Sequence, residues 1–378
     1  MNKLPNGWTQ STFGECLQYE QPTKYIVKST KYNDNYKTPV LTAGKSFILG
    51  YTNETDGIFT QTPVIIFDDF TTDTKFVDFH FKVKSSAMKI LRSNGKADIK
   101  FLYYLMQIIY HRSDTHKRYW IAEYSKIKIP LPPLAIQKQI AEKLDYSFDK
   151  IDKAITFLKE NKEYIKKYRL SILKYAFEGK LTPSSKNWET KTLGEVCEIT
   201  MGQSPNGKSI ININKNINSK ALEFHQGKIY FSDKYILQSN VVTTDVKKIA
   251  KKNSILLCVR APVGIINITQ REIAIGRGLC SLNSKFSNND FLYFYLLTQK
   301  NYFNEKSAGS TFSAITLDII KNTKIPLPPL ETQKEIVSIL DKKFKAMDEI
   351  ERLNNENIEN LLLLKKSLLK EAFSGKLK

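Results

Sequence analysis

Cysteine and histidine are scarce: the chain has four of each among 378 residues. Cys16, Cys197, Cys258 and Cys280 are widely spread and lack close metal-ligand pairing, which fits a reducing, cytoplasmic compartment better than a disulfide framework. So few histidines argue against a histidine-rich metal centre. No uninterrupted apolar run approaches the roughly 20 residues needed to span a bilayer, and the start MNKLPNGWTQ lacks the apolar segment of a secretory signal. The GxxxxGK[ST] loop that cradles ATP phosphates is missing as well. The Pro-Pro pairs at Pro132-Pro133 and Pro328-Pro329 follow leucine and precede leucine. An amino-methyltransferase would need a polar residue before the prolines to hold the adenine amino group and an aromatic after them to stack on the base. Acidic residues are also in deficit, 38 against 58 lysines and arginines, for a net charge of +20. That excess points to a polyanionic partner, nucleic acid first, without separating DNA from RNA.

What is present is a duplication. Residues 129–140 read IPLPPLAIQKQI and residues 325–336 read IPLPPLETQKEI. Each opens a segment of helical periodicity that closes with LKYAFEGKL at 173–181 or LKEAFSGKL at 369–377. Both pairs are offset by 196 residues, so the connecting segments have equal length, as in a repeated structural unit. Trp8 and Cys16 are echoed by Trp188 and Cys197, at an offset near 180. Length variation therefore lies between the repeated signatures and not inside the helices. A hydrophobic content of 41% is enough to fold two such modules.

The expected architecture is α+β: two α/β modules in tandem repeat, separated by two long helices that pack as an antiparallel coiled coil. The divisions expected are 1–133, 134–180, 181–329 and 330–378. In the first module, Phe76 to Val83 alternates with a period of two and predicts a strand that exposes Asp78, His80 and Lys82. Residues 99–110 predict a helix, as does the matching FLYFYLL run at 291–297. In the second module, Ser254 to Arg260 and Ile265 to Ile268 read as strands, and the asparagine-rich tract 210–218 as a loop or short hairpin.

Each long segment carries an apolar seam at three- and four-residue steps. In the first it includes Ile140, Leu144, Phe148, Ile151, Ile155 and Leu158, and in the second Ile336, Leu340, Phe344, Met347, Ile350 and Leu361. About 40 helical residues extend roughly 60 Å and cannot fold around themselves. Mutual packing buries both seams. The three prolines Pro130, Pro132 and Pro133 suit a helix start and Gly179 a helix end.

Candidate nucleic-acid contacts lie just before each proline signature. Arg112, Lys117, Arg118, Tyr119 and Trp120 combine cations with aromatic surface, able to meet phosphates, base edges or sugars; a solvated helix exit with Trp120 in the core is the competing reading. His111 and His116 have no ligand or nucleophile partner. In the second module Lys306, Gly309, Ser310 and Thr311 hold the same general position, where small residues let backbone donors approach a phosphate; a plain turn is the alternative. Arg260, Arg271 and Arg277 stand at loop ends that could face a polyanion.

The repeated IPLPPL-x2-QKxI signatures, the long helices and the AFxGKL closures, in this order and spacing, resemble the DNA-specificity subunit of a type I restriction-modification enzyme over essentially the whole chain. The resemblance implies two target-recognition domains, each reading one half of a split, asymmetric site in double-stranded DNA. It implies helices that set the gap between half-sites and dock two methyltransferase subunits, with restriction and translocase subunits joining the assembled complex. S-adenosylmethionine, ATP and Mg2+ would be used on those partner subunits for adenine-N6 methylation and cleavage, with no catalytic residue, metal or cofactor in this chain. Two rivals stay open at this point: a minimal metal-dependent nuclease using scattered acidic residues, and an adaptor that binds nucleic acid nonspecifically.

Overall fold

The computed structural model describes residues 4–42, 44, 46–109, 118–182, 188–212, 221–285, 288–307 and 314–376. The architecture is α+β, and its contacts divide the chain into two compact units, residues 1–159 with 354–378 and residues 160–353. The linear order of modules and helices is thus not the order of packing. Each unit takes one globular module, the first part of the helix that follows it and the last part of the other helix.

In the first unit an antiparallel sheet orders Leu17–Glu20, Met88–Ser93, Val64–Asp68 and Thr74–Val77. A second sheet orders Ile48–Thr52, Thr38–Leu41 and Lys82–Val83, the last pair parallel. The segment 76–83, expected as one strand, therefore belongs to two sheets, and Asp78 and His80 lie exposed between them. Lys82, expected to face solvent, is only 2% exposed. Its Nζ donates to the Asp56 carbonyl at 2.5 Å and pairs with Glu54 at 3.2 Å, which is how a buried charge is tolerated.

The second unit repeats the scheme. A four-stranded sheet orders Cys197–Met201, Leu279–Ser284, Ile255–Cys258 and Ile266–Ile268. A five-stranded sheet orders Ile210–Asn212, Val241–Thr243, Leu222–His225, Ile273–Ile275 and Ile249–Ala250. Its one parallel pair, Leu222–His225 with Ile273–Ile275, matches the parallel pair of the first unit. The asparagine-rich tract starts as a strand over Ile210–Asn212; the rest of it, 213–218, lies outside the described residues.

The repeated signatures now acquire physical reasons. Lys128–Leu131 and Lys324–Leu327 are strands, each closing its module against an early strand, Thr9–Thr12 or Glu189–Thr192. Pro130 and Pro326 thus sit in two-stranded ribbons, where a missing N–H can face outward, and not in the helix start. The signature glutamines, Gln137 and Gln333, are 1% and 2% exposed. Gln137 donates to the Pro132 carbonyl at 2.8 Å and accepts from the Asp98 amide at 2.8 Å. Gln333 does the same with Pro328 at 2.8 Å and Asn288 at 3.1 Å. Asp98 and Asn288 cap the helices Ile99–Ile108 and Asn289–Thr298, so one side chain staples the proline turn to a helix start.

The long helices span Leu134–Phe177 and Leu330–Phe373, 44 residues each. Both end in a left-handed glycine, Gly179 at φ 74° and Gly375 at φ 73°. The amide three residues past each helix returns five positions back, Lys180 to Tyr175 at 3.1 Å and Lys376 to Glu371 at 3.0 Å. That Schellman geometry is what the GK of the closing signature encodes.

In the first unit Ile140 and Leu144 share a core with Leu369, Ala372 and Phe373. In the second, Ile336, Leu340 and Met347 share one with Ile165, Ile172 and Leu173. A duplicated clamp holds the antiparallel register. Lys365 lies over the Phe148 ring at 4.7 Å and pairs with Asp152 at 2.6 Å; Arg169 lies over Phe344 at 5.1 Å and pairs with Asp348 at 2.6 Å. Ile151 and Ile155 are buried, and Leu158 and Leu361 half-buried. Ile350 departs from the expected seam and is 43% exposed. The three- and four-residue steps run from Met347 through Glu351 to the buried Asn354, leaving Ile350 one position off the stripe.

Candidate nucleic-acid interface

The exposed arginines occupy related places in the two modules. The Tyr119 amide donates to the Asp69 carbonyl at 3.1 Å, and the Ile315 amide to the Val259 carbonyl at 3.0 Å, so the chain returns to the end of the matching interior strand in both. Arg118 precedes the first of these bonds and is exposed. Arg260 follows Val259, is exposed, and forms a β-bridge with Ala314. One module thus supplies its arginine from the returning segment and the other from the residues just past the sheet strand. Both guanidiniums are free of side-chain bonds among the described residues.

Tyr119 and Trp120 are corrected by the structure: both are 2% exposed and cannot stack on a base in this conformation. The short helix Tyr119–Ala122 turns Trp120 onto Phe67, with ring centroids 5.4 Å apart, and toward Tyr124. The anchor is Asp69. Its Oδ1 accepts from the Trp120 amide at 2.9 Å, while Oδ2 pairs with Lys89 at 3.1 Å, both side chains being almost wholly buried. Arg112, Lys117, Gly309, Ser310 and Thr311, with His111 and His116, lie outside the described residues. Lys306 is exposed near the end of the helix Lys300–Ser307, with its Nζ 5.8 Å from the Tyr302 ring centroid.

Arg271 and Arg277 look alike in sequence but have opposite roles. Arg271 is consumed internally: Nε and Nη2 donate to Glu223 at 2.5 Å, and Nη2 and Nη1 donate to the Leu237 and Ile236 carbonyls. Burial pushes the Glu223 carboxyl up, but hydrogen bonds from Arg271, the Ser239 amide and His225 outweigh it and take its pKa down to about 2. Burial holds His225 below the ordinary histidine range against the pull of Glu223. This cluster ties the Leu222–His225 strand to the loop at 236–239. Arg277 is exposed and, among the described residues, donates only through Nε, to Ser204 Oγ at 3.2 Å.

Ser204 and Gln226 are the polar residues that sequence reasoning passed over. Ser204 Oγ lies 3.1 Å from Gln226 Oε1, and the side chains border an open cavity of about 730 Å³ with Phe224, Ile229 and Tyr230. The available signal was the closely spaced pair Gly276 and Gly278 flanking Arg277, since such glycines mark close backbone approach; Gly202 joins them only in the fold.

Other chemistries find little support in this geometry. Burial pushes the thiols of Cys197, Cys258 and Cys280 up to about 12, which makes them poor nucleophiles. Among the described residues no group of three or more His, Cys, Asp or Glu side chains is placed to hold a metal ion. Among them, too, no helix is long and apolar enough to cross a membrane.

The model of the type I restriction-modification DNA specificity domain matches twice, over residues 5–167 and 185–360. The EcoR124I/EcoR124II specificity subunit of Escherichia coli is 36% identical over 356 residues, covering 87% of this chain and 85% of that one. A solved chain from work on complex assembly and conformational transition in the type I restriction-modification system superposes with a TM-score of 0.80 at 25% identity, covering 100% of both chains. The HsdS subunit of Thermoanaerobacter tengcongensis gives a TM-score of 0.61 at 25% identity, covering 99% of this chain and 98% of that one. The twofold match falls on the two modules, their proline signatures and most of both long helices, so the chain belongs to the family of DNA-specificity subunits of type I restriction-modification enzymes, as a non-catalytic, sequence-specific DNA-binding component.

Proposed function

We propose that residues 1–133 and 181–329 are target-recognition domains that each read one half of a bipartite, asymmetric site in duplex DNA. The carrying observation is that the two modules repeat one backbone scheme but place different polar groups at matching points. Arg118 stands beside the end of the strand Val64–Asp68 and Arg260 beside the end of Ile255–Cys258, while the loop after the parallel strand pair is Lys84-Ser85-Ser86 in one and Gly276-Arg277-Gly278 in the other. One scaffold with two sets of contacts suits two different half-sites.

The spacer segments 134–180 and 330–378 set the gap and dock two methyltransferase subunits. Tyr146, Phe157, Tyr164 and Leu170 leave more than three-fifths of their surface exposed along the first helix, which is apolar area a partner would cover. The partner subunits would carry S-adenosylmethionine for adenine-N6 methylation, and the restriction subunits ATP and Mg2+, in the cytoplasm. Genome-wide mapping of adenine methylation tests this in cells with the modification subunit, with and without this chain. A split motif present only with the chain is the expected result; no new motif in a verified active complex would refute it.

The spacer role has its own measurement. Deleting seven residues at matching mid-helix positions keeps the three-four seam in phase and shortens the paired helices by about 10 Å. At 3.4 Å per base pair, the gap in the methylated motif should shrink by roughly 3 base pairs with both half-motifs retained. An unchanged gap in an assembled, active complex would rule out the ruler.

A further inference from the structure

Three backbone segments meet in the second module with no room for a side chain between them. A Cβ on Gly202 would lie 2.2 Å from the Gly276 carbonyl oxygen, one on Gly276 2.1 Å from Gln226 Oε1, and one on Gly278 2.3 Å from the Gln226 carbonyl oxygen. Main-chain bonds fasten the junction: Gly276 N–H to His225 O at 2.8 Å, Gln203 N–H to Ile275 O at 3.0 Å, and Gly202 N–H to Leu279 O at 2.9 Å. The three segments carry Ser204, Gln226 and Arg277, whose side chains meet.

We infer that Arg277, steadied by Ser204 and Gln226, is the base-reading element of the second recognition domain, and that it takes the major-groove edge of a guanine. This rests on the reading that the chain binds duplex DNA. Arg277 Nε donates to Ser204 Oγ, and the hydroxyl can pass its own proton to Gln226 Oε1, so the guanidinium is held at one edge. Its two terminal amino groups have no partner among the described residues, and the residue is exposed, leaving a planar pair of donors matched to guanine O6 and N7. Arg271, six residues earlier, has no such freedom because Glu223 occupies its fork. Fixing Nε in advance removes rotamer freedom that a phosphate-binding lysine or a loose arginine would lose on contact. In the first module the corresponding turn bonds Lys84 N–H to Leu41 O at 3.0 Å but carries Lys84, Ser85 and Ser86, so it cannot present the same fork.

The experiment uses the full chain assembled with its modification subunits and measures methylation across duplexes randomised in each half-site. Arg277→Lys keeps the charge and loses the fork. The expected result is a loss of roughly 10-fold or more in preference for guanine at one position of one half-motif, with the other half-motif unchanged. The intact half serves as the folding control within the same molecule. Ser204→Ala should loosen the same position by a smaller factor. Three results would overturn the inference: an unchanged motif, a change at a base other than guanine, or a uniform fall across all sequences, which marks a phosphate contact. A wild-type complex that methylates without any split motif would instead overturn the DNA reading on which this rests, and the inference with it.

Discussion

Asp69→Ala is expected to destabilise the first unit by about 3–5 kcal/mol, the cost of leaving a buried charge unpaired. Lys89 is 1% exposed and its ammonium group pairs with Asp69 at 3.1 Å, so removal of the carboxylate strands a cation inside the sheet. The same change takes the acceptor from the Trp120 amide, which sits in the core. Urea unfolding read through amide exchange in the first unit measures the loss. The double variant Asp69→Ala with Lys89→Met should recover most of it, because the penalty comes from the orphaned charge more than from the missing attraction. A loss below about 1 kcal/mol in the single variant would show that Lys89 finds water or another partner. Because Arg118 directly precedes the anchored turn, the assembled Asp69→Ala complex should also lose discrimination in one half-motif and keep the other.

Gln137→Leu and Gln333→Leu should each cost about 2–4 kcal/mol in their own unit, since each leaves a buried carbonyl and a half-buried amide without that partner. Leucine fills similar volume, so the cavity contribution is small and the hydrogen bonds are isolated as the cause. The two effects should be close in size, because the glutamines hold matching bonds to Pro132 and Asp98 in one unit and to Pro328 and Asn288 in the other. Thermal unfolding of the single variants checks this. A leucine variant as stable as the parent would mean that the proline turn satisfies its backbone in another way.

Much of the scaffold is legible without coordinates. A three-four apolar stripe over 44 residues, opened by prolines and closed by glycine, has few alternatives to a long helix with a partner. Short strands are harder, because their side chains answer to whichever sheet they join. Residues 76–83 alternate cleanly, yet the chain changes sheets between Val77 and Lys82, and Lys82 is buried against Glu54. The interface was the least legible part. Trp120 belongs to the core because Phe67 and Tyr124, distant in sequence or on the next turn, complete its packing. Ile350 leaves the seam because the stripe continues through polar Glu351 and Asn354, which an apolar pattern does not select.

From the sequence by itself came the duplication, the equal lengths of the helices, their ends and the family, because periodicity, capping and repeated spacing are written within a few residues of where they act. Tertiary structure decided that each unit borrows the last part of the other module's helix. It also decided that Arg271 is spent on Glu223 while Arg277 is merely steadied by Ser204. Burial and ion pairing depend on groups dozens of residues away. Two arginines that are indistinguishable along the chain therefore become a structural tie and an open pair of donors only once the strands have met.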